Sequence, residues 1–147
     1  MIRISTKGRY GARFMLELAM HFGDGPILLK DIARRQDISE GYLQHIVDAL
    51  KGANLVISSR VGHGGYILSK PPDQITLREI LSTLEGSINL VECIDNPDVC
   101  NRSPNCTTRD VWGEVSDNFS QSLESISLTK IVAMNKNKEQ NALLYEI

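Results

Sequence analysis

Two short amphipathic segments separated by a tight turn constrain the fold of this chain more than any other feature. The first segment places three apolar residues on one helical face: Leu29, Ile32 and Ala33. Asp37-Ile38 then turns the chain, and Ser39 is a favourable N-cap for the second segment. The apolar face of that second segment is formed by Tyr42, Leu43, Ile46, Val47 and Leu50. Two short helices joined in this way, with a small alanine where they would cross, predict a helix-turn-helix.

Two short runs rich in β-branched and aromatic residues follow this pair of helices. They are LVISSR and GYILSK, and they flank the sequence VGHG. Glycines at positions 62, 64 and 65 permit the positive φ angles that a tight hairpin requires. We therefore predict a mainly α fold with a small β-wing, in which residues 1–72 form a winged helix-turn-helix region. The alternative is that the helices and the hairpin are packing units only.

The remainder of the chain is divided by two capping boxes, Thr76 with Glu79 and Thr107 with Asp110. The first opens a connecting helix within residues 73–90, and the second opens a long helix predicted over residues 108–134. Residues 91–107 form a cysteine-containing loop, and the weakly patterned residues 135–147 are predicted to be a flexible tail. The long helix carries an apolar stripe at spacings of three and four: Val111, Trp112, Val115, Phe119, Leu123 and Ile126. We expect this stripe to form a dimer interface, although a stripe of this kind also packs on its own core in many proteins.

Charge is distributed unequally along the chain. Residues 1–70 carry 10 basic and 6 acidic side chains, whereas residues 71–147 carry 6 and 12, for a net charge of -2. The basic half is therefore the candidate for binding a polyanion, unless solvated charges fall this way by chance. The N-terminal sequence MIRISTKGRY has no apolar core, and no run approaches the ~18 apolar residues of a membrane helix, so we expect a cytoplasmic protein without a membrane partner.

All three cysteines lie within the sequence CIDNPDVCNRSPNC, as Cys93, Cys100 and Cys106. In a reducing compartment, clustered cysteines indicate metal or redox chemistry rather than disulfides. The spacing is wider than that of a zinc knuckle, but it leaves both zinc and an iron-sulfur cluster open. The sequence has no glycine-rich phosphate loop and no histidine close to a cysteine, so we do not expect an enzyme.

Several stretches of the sequence together resemble one family. They are RISTKGRYGARFMLELA, LKDIARRQDISEGYL, HGGYILSKPPDQITLREI and LEG, followed by the cysteines and the long helix. These stretches closely resemble the Rrf-two family of bacterial winged-helix transcription regulators. The resemblance implies a homodimer that binds double-stranded operator DNA through its wings and recognition helices.

The cysteine loop points within this family to the IscR- and NsrR-like branches, because the cysteine-metabolism branch lacks it. It implies an iron-sulfur cluster, of the 2Fe-2S or 4Fe-4S type, held by the three cysteines. Such a cluster would control operator binding in response to iron-sulfur status, redox state or nitric oxide. The alternative is a metal-free or zinc-binding winged-helix repressor that acts through a protein partner.

The sequence departs from the family pattern at two places. Gln44 and His45 stand where the cluster-regulator branch has glutamate and glutamine, so the base-reading side chains differ. Arg109 stands where that branch has a histidine as the fourth cluster ligand, and arginine does not bind metals. We therefore expect an oxygen donor, from outside the subunit or from one of four carboxylates: Glu92, Asp95, Asp98 and Asp110.

Three groups of side chains are predicted to contact DNA. Residues near the start of the recognition helix would reach base edges in the major groove: Ser39, Glu40, Gly41, Gln44 and His45. Residues at the start of the first helix suit phosphates: Ser5, Thr6, Lys7, Arg9 and Tyr10. Arg60 and His63 lie in the predicted wing, where a cation can enter a narrow minor groove. Any one of these side chains alone is equally consistent with a solvated surface position.

Overall fold

The computed structural model describes residues 2–146, and helices dominate it. The helices are α1 Thr6–Met20, α2 Leu29–Gln36, α3 Glu40–Gly52, α4 Leu77–Glu85, α5 Glu92–Asp95, α6 Thr107–Glu124 and α7 Leu128–Tyr145. Strands β1 Val56–Ser59 and β2 Gly65–Leu68 form an antiparallel hairpin, and single 3-10 turns span Pro72–Gln74, Pro97–Val99 and Ser103–Asn105. The prediction of a mainly α fold with a small β-wing is confirmed. Within the described residues, no helix is both long enough and apolar enough to cross a membrane.

The turn between α2 and α3 follows the predicted chemistry. Asp37 ends α2 in the left-handed conformation with φ 54° and ψ 49°, which a short polar side chain tolerates better than most. The amide of Ile38 donates to the carbonyl of Ala33 at 3.0 Å. Ser39 caps α3 by accepting from the amide of Tyr42 at 3.2 Å. Ile38 and Ala33 are both buried, so the tight turn and the small crossing residue are confirmed.

The hydrophobic core lies where α1 meets α2, α3, α4 and strand β2. Its largest side chains are fully buried: Phe14, Met15, Ile32, Leu43, Ile46, Leu50, Ile75, Ile80 and Leu128. Burial of an aliphatic side chain of this size contributes about 1.5–3 kcal/mol, so these residues supply much of the stability. Tyr42 is the exception on the predicted apolar face of α3, because 38% of its surface remains exposed.

The wing is fixed to the body of the protein by backbone hydrogen bonds. Val56 pairs with Leu68 at one end of the hairpin and Ser59 pairs with Gly65 at the other. The amide of Ile27 donates to the carbonyl of Tyr66 at 3.1 Å, and the amide of Tyr66 donates back at 2.9 Å. Gly65 has φ 130°, and a Cβ there would collide with the Ile27 carbonyl. Glycine at this position therefore lets the hairpin approach the α1–α2 connection.

The long helix predicted over residues 108–134 is two helices, α6 and α7, so that prediction was wrong. The chain between them pairs with the segment that precedes α4: the amide of Leu77 donates to Ile126 at 2.8 Å, and the amide of Leu128 donates to Ile75 at 2.9 Å. Ser127 then caps α7 by accepting from Lys130. These long-range backbone bonds interrupt the helix although no proline or glycine marks the break.

The two predicted capping boxes have different outcomes. Thr76 and Glu79 form a complete capping box at the start of α4, as expected. At α6, by contrast, the helix already includes Thr107, and its N-cap is Cys106, which makes no side-chain capping bond. The helix therefore begins one residue earlier than predicted, and Cys106 takes the N-cap role that was predicted for Thr107.

The predicted flexible tail, residues 135–147, is also different in the structure. Helix α7 continues to Tyr145, and Ile147 lies outside the described residues. The start of α7 is anchored, because Leu128 is fully buried and Ile131 and Val132 pack against the core. Beyond Asn135, the described side chains are exposed, which explains the weak apolar pattern. Lysine, glutamate, glutamine, alanine and leucine nevertheless favour helix, so the helix extends past its anchored part.

Replacing Leu128 with alanine should lower the free energy of unfolding by about 2–5 kcal/mol, since the change leaves a cavity in the core. Leu144→Ala is the matched control at a side chain that is 70% exposed, and it should stay within about 0.5 kcal/mol of wild type. Urea denaturation followed by circular dichroism measures both values. Equal effects of the two substitutions would contradict the proposed anchoring of α7.

Candidate DNA-binding surface and cysteine segment

The start of α3 presents most of its predicted base-reading residues to solvent. Ser39, Glu40, Gly41 and His45 are exposed, whereas Gln44 is half-buried. The Gln44 amide nitrogen donates to Asp48 Oδ1 at 2.8 Å and lies 3.5 Å from the hydroxyl of Tyr66. Gln44 is therefore oriented by Asp48 on its own helix and by the wing strand. Sequence reasoning missed Asp48, although its position one helical turn after Gln44 is the signal for such a pair.

Aromatic packing joins the start of α1 to the start of α3. The rings of Tyr10 and Tyr42 meet edge to face, with centroids 5.9 Å apart. The guanidinium of Arg13 lies 5.1 Å from the centroid of the Tyr10 ring. This arrangement brings the residues predicted to bind phosphates close to those predicted to read bases. The half-exposed Tyr42 belongs to this contact and not to the core.

An acidic side chain is hydrogen-bonded at the N-terminus of α1. Ser5 caps the helix by accepting from the amide of Gly8 at 3.1 Å. Its own amide and hydroxyl both donate to Glu85 Oε1, at 3.0 and 2.5 Å. Ser5 was predicted to bind a phosphate, but in the structure it binds the last residue of α4. Sequence reasoning missed Glu85, because nothing local in the sequence LEG indicates a partner so far along the chain.

The other predicted phosphate contacts remain near the surface. Thr6 and Arg9 are exposed, and Arg9 Nη2 donates to Thr6 Oγ1 at 3.1 Å. Lys7 is half-buried. In the wing, Arg60 and His63 are both exposed. A further cation, Lys51 at the end of α3, lies next to the wing, with its Nζ 5.9 Å from the centroid of the Tyr66 ring on β2.

The cysteine segment, residues 86–106, connects α4 to α6 by short turns. Cys93 is half-buried in α5, Cys100 is exposed after the turn at Pro97–Val99, and Cys106 is half-buried directly before α6. All three thiols are free. The predicted loop therefore contains one short helix and two turns, and it places each cysteine at a different point of its path.

Side-chain hydrogen bonds brace the first part of this segment. Asp95 accepts from Ser87 Oγ at 2.5 Å and from Asn89 Nδ2 at 2.7 Å, and these bonds lower the pKa of the Asp95 carboxyl. The amide of Leu90 donates at 3.0 Å to the hydroxyl of Ser116, which is buried in α6. Asp95, one of the four predicted oxygen donors, is thus already engaged.

Arg109 has a structural role at the position where a histidine ligand was considered. Its Nε donates to the backbone carbonyl of Cys93 at 2.8 Å, which ties α6 to α5. The neighbouring thiol of Cys106 lies 3.3 Å from the hydroxyl of Thr108. This hydrogen bond, together with the backbone amide of Arg109, lowers the pKa of Cys106, while the charge of Asp110 opposes the shift. The lowered pKa favours the thiolate, the form that binds metals.

The donor set fits an iron-sulfur cluster in kind, because it consists of free thiols of which one is biased towards the thiolate. In residues 2–146, however, no group of three or more histidine, cysteine or acidic side chains stands close enough to hold a metal ion. The segment would therefore have to bring its cysteines together on binding a cluster. Of the predicted oxygen donors, Glu92, Asp98 and Asp110 are exposed, and the charge of Asp110 is felt by Cys106.

The apolar stripe on α6 divides into an exposed and a packed part. Val111, Trp112 and Val115 are exposed by 47%, 44% and 42%. Phe119 and Ile126 are half-buried, and Leu123 is buried where α6 packs on α4. The end of the stripe therefore packs on its own chain, whereas its beginning is exposed, and its use as a dimer interface stays a prediction.

The fold and its exposed surfaces define a winged-helix regulator, and comparison with known proteins agrees. A family model described as "Rrf2: Iron-dependent Transcriptional regulator" matches residues 4–134. The transcriptional regulator CymR of Bacillus subtilis is 36% identical over 144 residues, which cover 98% of this chain and 99% of CymR. IscR of Aliivibrio salmonicida is 34% identical over 135 residues, which cover 92% of this chain and 80% of IscR. The chain belongs to the Rrf2 family of transcriptional regulators.

Solved structures give the same result. CymR (YrzC), the global cysteine regulator of B. subtilis, matches with a TM-score of 0.76 and 39% identity, covering 91% of this chain and 98% of CymR. T. potens IscR matches with a TM-score of 0.75 and 37% identity, covering 91% of this chain and 88% of IscR. These relatives are transcriptional regulators and not enzymes, as the sequence predicted. Both types of regulator are similar to this chain to nearly the same degree.

The pKa of Cys106 can be tested by thiol labelling. In a protein with Cys93 and Cys100 replaced by serine, Thr108→Val should raise the pKa of Cys106, because the hydroxyl that stabilises the thiolate is lost. Labelling by iodoacetamide at neutral pH should then be slower, and the pH profile should move to higher pH. Thr107→Val is the matched control one residue earlier. An unchanged profile in the Thr108 variant would contradict the proposed hydrogen bond.

Proposed function

We propose that this protein is a dimeric cytoplasmic regulator whose binding to operator DNA is controlled by an iron-sulfur cluster held by Cys93, Cys100 and Cys106. The observation that carries the proposal is the position of the cysteine segment. It begins at the end of α4, which packs on α1 and α3, and it ends at the start of α6, which carries the exposed apolar stripe. A change in the segment would therefore act on both the DNA-binding helices and the dimer contact.

DNA binding is supported by the surfaces that α1, α3 and the wing expose together. Winged-helix regulators of this family bind DNA, and α3 here has the length and exposure of a recognition helix. Its exposed residues and Gln44 would read base edges. The half-buried Gln44, fixed by Asp48, is a more defined reader than a free surface glutamine, because its amide is oriented before DNA binds.

Substitutions in the wing and at the start of α1 should affect DNA binding differently. Arg60→Ala should weaken operator binding by about 1–3 kcal/mol, as expected for loss of a cation from a groove. Lys7→Ala should weaken binding to all sequences alike and flatten the salt dependence by about one unit, as expected for a phosphate contact. Mobility-shift titrations with operator and unrelated duplexes at several salt concentrations measure both effects. Unchanged operator binding by the Arg60 variant would show that the wing does not contact DNA.

The cluster would supply a group that responds to oxidants, nitric oxide or iron shortage, and the chain would supply its ligands. Cys106 is the best prepared, because its hydrogen bond with Thr108 lowers the pKa of its thiol. Arg109 would hold the backbone of Cys93, and so the position of that thiol, against the start of α6. For the fourth position we propose an exchangeable oxygen donor. Asp110 is the side chain that we favour, because it is exposed in the first turn of α6, directly after Cys106, whereas Asp95 is engaged by Ser87 and Asn89.

Dimerisation is supported by exposed apolar side chains on α6 and on the segment that precedes α1. Val111, Trp112 and Val115 are exposed on α6. Phe119, further along α6, borders a groove that is also lined by Ile2 and Ile4, which are 68% and 37% exposed. A group of exposed apolar side chains on one helix is the kind of surface that a protein partner covers. A second copy of the chain is the occupant that the family resemblance favours.

Anaerobic purification tests this function. The protein should be coloured, should contain iron and acid-labile sulfide, should give an EPR signal on reduction or oxidation, and should sediment as a dimer. Replacing any one of the three cysteines with alanine should abolish the cluster spectrum, while Asp110→Ala should only make the cluster more labile. A single Cys→Ala variant that keeps a stable cluster and unchanged DNA affinity would refute the three-cysteine site.

A second function is a repressor that is metal-free or binds zinc and acts through a protein partner. Two observations favour it: CymR, named as a cysteine regulator, matches nearly the whole chain, and the three thiols do not form a metal site within the described residues. The same purification separates the two functions. Colourless protein that contains zinc or no metal, and that lacks sulfide, would favour the repressor.

A further inference from the structure

The contact between Glu85 and Ser5 places a carboxylate where a DNA phosphate is expected. Glu85 Oε1 accepts from both the amide and the hydroxyl of Ser5, at 3.0 and 2.5 Å. Ser5 is the N-cap of α1 and is predicted from the sequence to bind a phosphate. A carboxylate and a phosphate oxygen have the same charge and accept the same hydrogen bonds, so they cannot both use these two donors.

The surrounding sequence is adapted to this contact. Gly8, in the first turn of α1, is buried, and a Cβ at this position would collide with Glu85 Oε1 and approach the side chain of Ile4. The carboxylate is therefore admitted because residue 8 has no side chain. It also lies at the positive end of the α1 dipole, where a negative charge is stabilised.

We propose that Glu85 is an autoinhibitory residue that competes with DNA phosphate for Ser5. This inference rests on the proposed DNA-binding function and adds a regulator of it. While Glu85 holds Ser5, the first turn of α1 presents a negative charge to the duplex. When Glu85 leaves, Ser5 can bind a phosphate, and the cations Lys7 and Arg9 act without an opposing carboxylate.

The position of Glu85 connects this competition to the cysteine segment. Glu85 is the last residue of α4, and the segment begins directly after it. Ser87 and Asn89, only a few residues further on, are held by Asp95, which lies in the same short helix as Cys93. A rearrangement that gathers the cysteines would pull on the chain that follows Glu85, so the carboxylate is placed to respond to it.

The test uses Glu85→Gln in the full-length protein without added iron, so that cluster loading does not enter the result. The amide keeps the shape of the side chain but removes its charge. We expect binding to duplex DNA of any sequence to tighten by roughly three- to tenfold, with a salt dependence steeper by about one unit for the added phosphate contact. Glu139→Gln is the matched control, since it removes the same charge from α7, at an exposed side chain that contacts Asn135.

Two further measurements separate competition from a structural role. The thermal midpoint of Glu85→Gln should fall slightly, because the charged contact at the helix terminus is lost, while DNA affinity rises. A residue that only holds the fold would lower both quantities. Ser5→Ala should weaken DNA binding, and in that background Glu85→Gln should give a smaller gain, because the hydroxyl for which the two anions compete is absent.

The possible failures are distinguishable. If wild-type protein binds DNA and Glu85→Gln binds equally or more weakly, the autoinhibitory role is overturned and the proposed function stands. If neither wild-type protein nor Glu85→Gln binds any duplex, both are overturned. A gain of the same size in Glu139→Gln would show that only net charge matters, and this outcome also overturns the competition at Ser5.

Discussion

The burial of α1 is the interaction on which the rest of the structure depends. This helix packs against α2, α3, α4, α7 and strand β2, and its central residues Phe14 and Met15 are fully buried. Its buried Glu17 accepts from Arg35 at 3.1 Å and from Gln36 at 2.7 Å, which fixes the position of α2. Because α1 contacts all of these elements, a displacement of either of its ends would act on α3 and α4 together. The DNA-binding surface is thus not an independent module.

The features predicted correctly are those that depend on local chemistry. Asp37 turns the chain and Ser39 caps α3 within a few residues, so the helix-turn-helix was visible in the sequence. The break between α6 and α7 was missed because it depends on backbone pairing of Ile126 and Leu128 with a segment far away in sequence. An apolar spacing that continues through the break gives no sign of it. The wing and the family were predictable because they, like the turn, depend on local sequence patterns. The extent of α7 was not predicted.

The candidate site shows the same division between local features, which the sequence predicted, and long-range contacts, which it did not. The exposure of the α3 start and of Arg60, and the free state of the three thiols, agree with what their sequence context indicated. The hydrogen-bond partners of these residues could not be read from the sequence. Glu85 and Ser5, for example, are hydrogen-bonded although they are 80 residues apart in the chain. Arg109 illustrates the difference: from the sequence it was an absent ligand, whereas in the structure it holds the backbone of Cys93. A departure from a family pattern can therefore mark a new role and not merely a lost one.

The charge asymmetry of the chain acquires a physical meaning from this arrangement. The acidic second half begins after the wing, and Glu85 is one point at which it reaches into the basic first half. A regulator that must release DNA benefits from an anion that can occupy a phosphate position, because the competing charge acts over a few ångströms and without a partner molecule. Release of Ser5 by this carboxylate then requires a part of the chain that can change its conformation. The segment that follows it carries all the thiols of the chain, is braced by Asp95 and is composed of short turns, so it can change shape without disturbing the core. On the proposed competition, regulation and DNA binding would meet at the hydrogen bonds between Ser5 and Glu85.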